Sequence, residues 1–318
     1  MIRLGLAGLA DRRYQWFLAP LHRRRAGIRL VGASEPDADL RSSAPVGDLP
    51  IHPDHLQLLE QARPDLLAVT RFPGADRVII DALGHGVDVV AVPPLADDLV
   101  QLDAIAEAAA ASGRRCLTTH TLRGQPGALV AQQLLLDGRL GTLEVVTLIV
   151  PDDCHPEQRR SLITDVLDLF CWLAGVHSGT ITAIGDGHPA RTDDPPEFTA
   201  GYGTLIMMVH STSPLDGAGI VCEVRSRPGA AEWPVTVQVG GSTGAVEWDV
   251  GSGMLRSVVT GTEPRLISAG RIDHPEWVLN NLLRKRTPAG STAHSLATTR
   301  MLLLAGRSAE NGGRSEQW

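Results

Sequence analysis

Short apolar runs recur through the first third of this 318-residue chain, and each gives way to a stretch with helical patterning. The runs are Ile2 to Leu9, Ile28 to Ser34, Leu66 to Thr70, Val87 to Val92 and Arg115 to Thr119. Strands that alternate with helices imply βαβ units, because two parallel neighbours can be joined only by a long crossover. Between the fourth and fifth runs, Ala96 to Ser112 has the Ala/Leu/Asp composition of an amphipathic helix, with Asp97-Asp98 placed at its positive end. The expectation for residues 1–119 is therefore an α/β domain with a doubly wound parallel sheet of the Rossmann type.

After residue 120 the pattern changes. A helix is expected around Gly127 to Leu136, a strand over Leu143 to Val150, a second helix over Ser161 to Leu173, and β-rich sequence from Thr180 to Leu266. Strands no longer separated by helices point to an α+β domain, a large open and mostly antiparallel sheet with helices on one face, over residues 120–310. A last helix is expected near Ser291 to Ala309, and residues 311–318 read as a frayed tail.

Composition narrows the function classes. No stretch approaches the roughly 20 apolar residues that span a bilayer. The opening MIRLGLAGLA runs directly into Asp11-Arg12-Arg13 without a cleavage site, and reads as a buried strand rather than a leader. Cys116, Cys154, Cys171 and Cys222 are scattered, which suggests neither a disulfide framework nor a metal site and fits a reducing cytoplasm. With a net charge of −7 and Arg23-Arg24-Arg25 as the one dense basic run, nucleic acid is not an expected partner. A small-molecule substrate is.

The first strand-to-helix turn is the natural place for a dinucleotide. Such a site uses glycines to turn tightly and let the backbone approach the pyrophosphate. Gly8-Leu9-Ala10-Asp11-Arg12-Arg13 keeps the first glycine and replaces the others. Gly8 and Ala10 are candidate cofactor contacts, as are Arg12 and Arg13 if they reach the pyrophosphate directly. Glu35 closes the second strand, where an acid can accept hydrogen bonds from a ribose diol and favour NAD(H) over NADP(H). The alternative for Glu35 is an ordinary loop start.

Four segments in order carry a wider similarity: Gly5-Leu6-Ala7-Gly8, Val89 through Ala96, Leu136-Asp137-Gly138-Arg139-Leu140-Gly141, and Asp168 through Gly175. Together they resemble the Gfo/Idh/MocA family over nearly the whole chain. The resemblance implies a Rossmann domain, a second domain with an open sheet through which homo-oligomers form, and NAD(P)-dependent oxidation of sugars, inositols or related alcohols. It also implies that Thr70 and Pro93 lie against the cofactor.

At the chemistry the chain departs from the family. Val92-Pro93-Pro94 stands where the family has Glu-Lys-Pro, and Lys285 is the only lysine in the chain. Asp165 takes the place of the His that commonly precedes the helical Asp, here Asp168, by three residues. Thr70-Arg71-Phe72-Pro73 replaces the usual Thr-Pro start and drops a downstream His. By the resemblance, Arg71 and Pro93 would face the substrate from the first domain, and His120, Arg123 and Asp165 from the second, with His155 close by. Asp165, His120, His155 and Arg71 are thus the candidate catalytic groups.

Three readings follow. The lost groups serve hydride transfer while titratable residues persist, which favours proton-transfer chemistry such as dehydration, isomerisation or cyclisation, with the nucleotide lost or kept only as structure. A divergent NAD(P)-dependent oxidoreductase is the second reading, and a non-catalytic metabolite- or partner-binding relative the third.

Overall fold

A computed structural model describes residues 1–10, 27–70, 74–151, 156–176, 178–185, 204–211, 219–227, 235–270 and 291–318. Two compact units emerge, one of Met1–Thr119 with Asp273–Thr299, the other of His120–Ile272 with Arg300–Trp318. The first unit thus takes residues from near the C-terminus as well as the N-terminal segment.

In the first unit, β1 (Ile2–Ala7), β2 (Ile28–Ser34), β3 (Ile51–His52), β4 (Leu66–Val69), β5 (Asp88–Ala91) and β6 (Cys116–Thr118) form one sheet in the order β3-β2-β1-β4-β5-β6. Every pairing is parallel. The order reverses beside β1, the arrangement that opens a crevice at the carboxyl ends of the strands. β4 is buried along its whole length, as expected of a strand covered on both faces. β3 is a sixth strand that the apolar runs did not reveal, since two residues carry no readable period.

Three of the helices here begin at acids. Asp37 caps α1 (Ala38–Ser43), Asp54 caps α2 (His55–Ala62), and Asp98 caps α4 (Leu99–Ser112) by accepting from the Gln101 amide at 2.8 Å. Between the last two lies α3 (Ala75–Gly84), which buries Val78, Ile79 and Leu83. Gly113 ends α4 with φ +65°.

The second unit carries a nine-stranded sheet. Its strands are β7 (Leu143–Pro151), β8 (Gly179–Gly185), β9 (Thr204–Ser211), β10 (Ile220–Arg227), β11 (Thr236–Gly241), β12 (Gly244–Asp249), β13 (Met254–Val259), β14 (Arg265–Ser268) and β15 (Glu316–Gln317), in the order β14-β13-β12-β11-β7-β10-β9-β8-β15. All neighbours are antiparallel except β7 and β10, which lie parallel at its centre. One cross-strand row, Ala183, Met207, Cys222, Val146, Val239 and Val246, is fully buried. The adjacent row, Ile184, Ile206, Glu223, Thr147, Gln238, Glu247, Arg256 and Leu266, mixes exposed apolar and polar side chains.

On the buried side lie α5 (Pro126–Leu136) and α6 (Pro156–Ala174). Gly127 of α5 lets the Trp248 indole close on the helix backbone. The chain ends with α7 (Thr292–Glu310) and β15. Residues 311–318 are therefore not a frayed tail: β15 pairs with β8, Trp318 and Gly179 exchange backbone hydrogen bonds, and Arg307 pairs with Glu316. A two-residue strand has no sequence period by which to announce itself. Among the described residues no helix is long and apolar enough to cross a membrane.

Candidate functional site

In the first unit, the candidate cofactor residues gather at the carboxyl edge of the parallel sheet. Gly8 has φ +97°, a left-handed conformation that favours glycine. Its N–H donates to the Ser34 carbonyl at 2.9 Å, and the next amide, that of Leu9, donates to Glu35 Oε2 at 2.7 Å. Glu35 Oε1 accepts from the Asp37 amide at 3.1 Å. Thr70 donates its hydroxyl to the Gly8 carbonyl at 2.6 Å. Glu35 and Thr70 thus hold the turn from two sides.

Does this edge fit a dinucleotide? The tight Gly8 turn does, and so does the Glu35 carboxylate, which has about four lone-pair sites and spends two on backbone amides. Thr119, directly after β6, buries a hydroxyl that has no hydrogen-bond partner among the described residues, a polar group at the edge where such ligands sit. The Gly8 and Leu9 amides are consumed internally, so pyrophosphate contacts fall to the following residues. Of these, Ala10 is exposed, while Arg12 and Arg13 lie outside the described residues. Pro93 is buried beyond β5, in a cis Pro93-Pro94 pair.

The second unit holds a buried polar cluster. His120 follows β6 directly, and α6 presents Asp165 and Asp168 one turn apart, so that both carboxylates meet the imidazole. His120 Nδ1 lies 3.2 Å from Asp165 Oδ1, and Nε2 lies 3.5 Å from Asp168 Oδ1. Arg123 forks onto Asp168, its Nε donating to Oδ2 at 2.9 Å and its Nη2 to Oδ1. The guanidinium also stands 5.8 Å above the Trp172 ring. Trp172 is half-buried beneath this cation rather than sealed in the core, where its apolar neighbours on the helix would have placed it. The Thr121 hydroxyl donates to Asp165 Oδ2.

His120 and Asp168 are fully buried and Asp165 nearly so, at 1% exposure; Thr121 and Arg123 are partly buried. Burial raises the Asp165 pKa above its ordinary 3.8, and the nearby Asp168 charge adds to this, while His120 and the Thr121 hydroxyl pull the other way. The cluster thus sets an imidazole between two carboxylates, one of them held by a guanidinium. A proton between His120 and Asp165 belongs to the pair rather than to either group.

Sequence reasoning singled out His120, Asp165 and Arg123, and the fold brings them together. It missed Thr121, for which a lone threonine offers no signal. Arg71 and His155 lie outside the described residues, as does Cys154. The three described cysteines, Cys116, Cys171 and Cys222, are buried, and burial pushes the Cys116 thiol up to about 12, far from a nucleophile's range.

No known family profile matches the chain. It is 25% identical over 244 residues to inositol 2-dehydrogenase 4 of Saccharopolyspora erythraea, covering 70% of this chain and 69% of that one. The WlbA dehydrogenase from Chromobacterium violaceum, solved with NADH and UDP-GlcNAcA, superposes with a TM-score of 0.77 at 17% identity, covering 100% of this chain and 96% of that one. An aldose-aldose oxidoreductase from Caulobacter crescentus, complexed with glycerol, superposes with a TM-score of 0.75 at 18% identity over 100% of this chain and 99% of that one. The chain shares the fold of these oxidoreductases, as its resemblance to the Gfo/Idh/MocA family implies.

Proposed function

We propose that the chain is an NAD(H)-linked oxidoreductase of a small polyhydroxylated, sugar-like or polyol-like substrate, in which the Asp165–His120 couple takes up the proton that the substrate hydroxyl releases. The observation that carries this reading is the turn after β1, in which Gly8 adopts a conformation suited to glycine while Glu35 and Thr70 hold it in place. A curated relative is an inositol 2-dehydrogenase and a structural neighbour was solved with NADH, which supports the same reading. When bound, the dinucleotide supplies or accepts hydride. The chain's own residues do the rest. Glu35 and the Gly8 turn hold the nucleotide, Arg123 neutralises Asp168, and the buried couple stores one proton out of contact with water.

A second reading keeps the same proton couple without hydride transfer, as in dehydration, isomerisation or cyclisation. Val92-Pro93-Pro94, in place of the lysine that would polarise a substrate hydroxyl, favours it. Titration with NADH and NADPH by fluorescence or calorimetry separates the two. Micromolar binding, tighter for NADH, supports the oxidoreductase, and no binding at millimolar cofactor overturns it in favour of the second reading.

The row across the nine-stranded sheet that exposes Ile184, Ile206 and Leu266 among polar members suits a second copy of the chain, and we propose a homo-oligomer through this face. Light scattering on wild type and Ile206→Arg tests it, with a loss of assembly expected in the variant.

A further inference from the structure

The proton couple has no direct way out. His120 is fully buried and Asp165 is 1% exposed, so neither can meet a substrate hydroxyl or bulk water in this arrangement. Asp165 divides its two oxygens. Oδ1 faces His120, and Oδ2 accepts the Thr121 hydroxyl. Of the two groups that hydrogen-bond Asp165, His120 is fully buried and Thr121 is partly exposed. Its hydroxyl thus joins the buried acid to a residue that is not sealed from the surface. A hydroxyl is suited to this position because it donates one proton and accepts another at the same atom.

We propose that Thr121 is a catalytic relay residue, its hydroxyl passing the proton between a substrate hydroxyl and Asp165. The inference rests on the reading of the chain as an alcohol oxidoreductase, and the step balances as follows. The substrate O–H proton moves to Thr121 Oγ1 as Thr121's own hydroxyl proton moves to Asp165 Oδ2. The carbinol C–H leaves as hydride to the oxidised nicotinamide dinucleotide, and the C–O bond becomes a carbonyl. The proton then rests in the hydrogen-bonded Asp165–His120 couple. Thr121 ends the step as it began, with one proton. The reverse sequence reduces a carbonyl.

Thr121→Val keeps the shape and removes the hydroxyl; Thr121→Ser restores it. The readout is exchange with water of the proton held between His120 and Asp165, followed by NMR on protein labelled at histidine nitrogen and assigned through its loss in His120→Gln. The relay predicts that fast exchange is lost in Thr121→Val and rescued in Thr121→Ser. A resonance broadened away in wild type that sharpens in the valine variant supports it equally. Should Thr121→Val fail to fold by circular dichroism, Thr121→Ala reads the same loss. Identical behaviour in wild type and the hydroxyl-free variant, including no resonance in either, overturns the relay. NADH titration of the same proteins keeps the two failures apart, because a failed relay leaves NADH binding intact, and absent NADH binding leaves the exchange result standing.

Discussion

A Cβ placed on Gly127 would lie 2.3 Å from Cγ of Trp248, far inside contact distance, so the helix α5 and the strand β12 meet through a glycine that admits nothing larger. In an open helix, glycine to alanine is stabilising. Here the clash should win, and Gly127→Ala should cost about 1–3 kcal/mol through forced movement of a buried indole. Gly84, near the end of α3, has nothing within 4 Å of its would-be Cβ. Gly84→Ala should be neutral or stabilising by up to about 1 kcal/mol. Urea unfolding of both variants checks the contrast, and equal effects would remove the argument.

The raised pKa of Asp165 has a definite sign in a stability profile. A carboxyl with a pKa above its unfolded 3.8 binds its proton more tightly when folded. Its contribution is fully present below 3.8 and is lost as pH rises through the folded value. Asp165→Asn should therefore gain stability relative to wild type as pH rises from acid to neutral. Paired urea curves across that range measure the difference, and a variant that loses stability relative to wild type as pH rises would contradict it.

Asp168 accepts two hydrogen bonds from the Arg123 guanidinium. Arg123→Ala leaves that fully buried carboxylate short of its counter-charge and should destabilise by about 3–5 kcal/mol. In Arg123→Met with Asp168→Leu, both charges are gone and much of the loss should return. Chemical denaturation of the single and double variants is the measurement. A double variant as unstable as the single would show that burial of the charge is not the cause.

Glu35 joins the end of β2 to the turn after β1 through two backbone amides. Glu35→Ala should lower stability by about 1.5–3 kcal/mol, the range for hydrogen bonds to a charged group, and weaken NADH binding. Glu35→Gln keeps one acceptor oxygen and should fall between. Denaturation and NADH titration of the two variants read both effects, and a wild-type NADH affinity in Glu35→Ala would remove Glu35 from the nucleotide site.

The legible parts of the chain are those with long periods. The continuous apolar runs around Leu66 and Val89 signal buried parallel strands, and Asp98 signals the start of α4, because each reports a local physical demand. β3 and β15 were silent, as two residues are too few to show alternation. The cluster was legible in part. His120 and Asp165 stand out as titratable groups at suggestive positions, but their partnership depends on a fold that brings residues 45 apart into contact. Thr121 became visible only through its hydrogen bond, since a threonine beside a strand end is ordinary in sequence.

The central place of β7 has a consequence for synthesis. Both of its neighbours, β10 and β11, come later in the chain, after the α6 helix and two further strands. As the nascent protein emerges, β7 stands for a long interval with both edges unpaired and its apolar Val146, Leu148 and Val150 face uncovered, until the ribosome has delivered Arg227 and then Gly241. The strand that forms the middle of the finished sheet is thus the segment a chaperone has most reason to shelter.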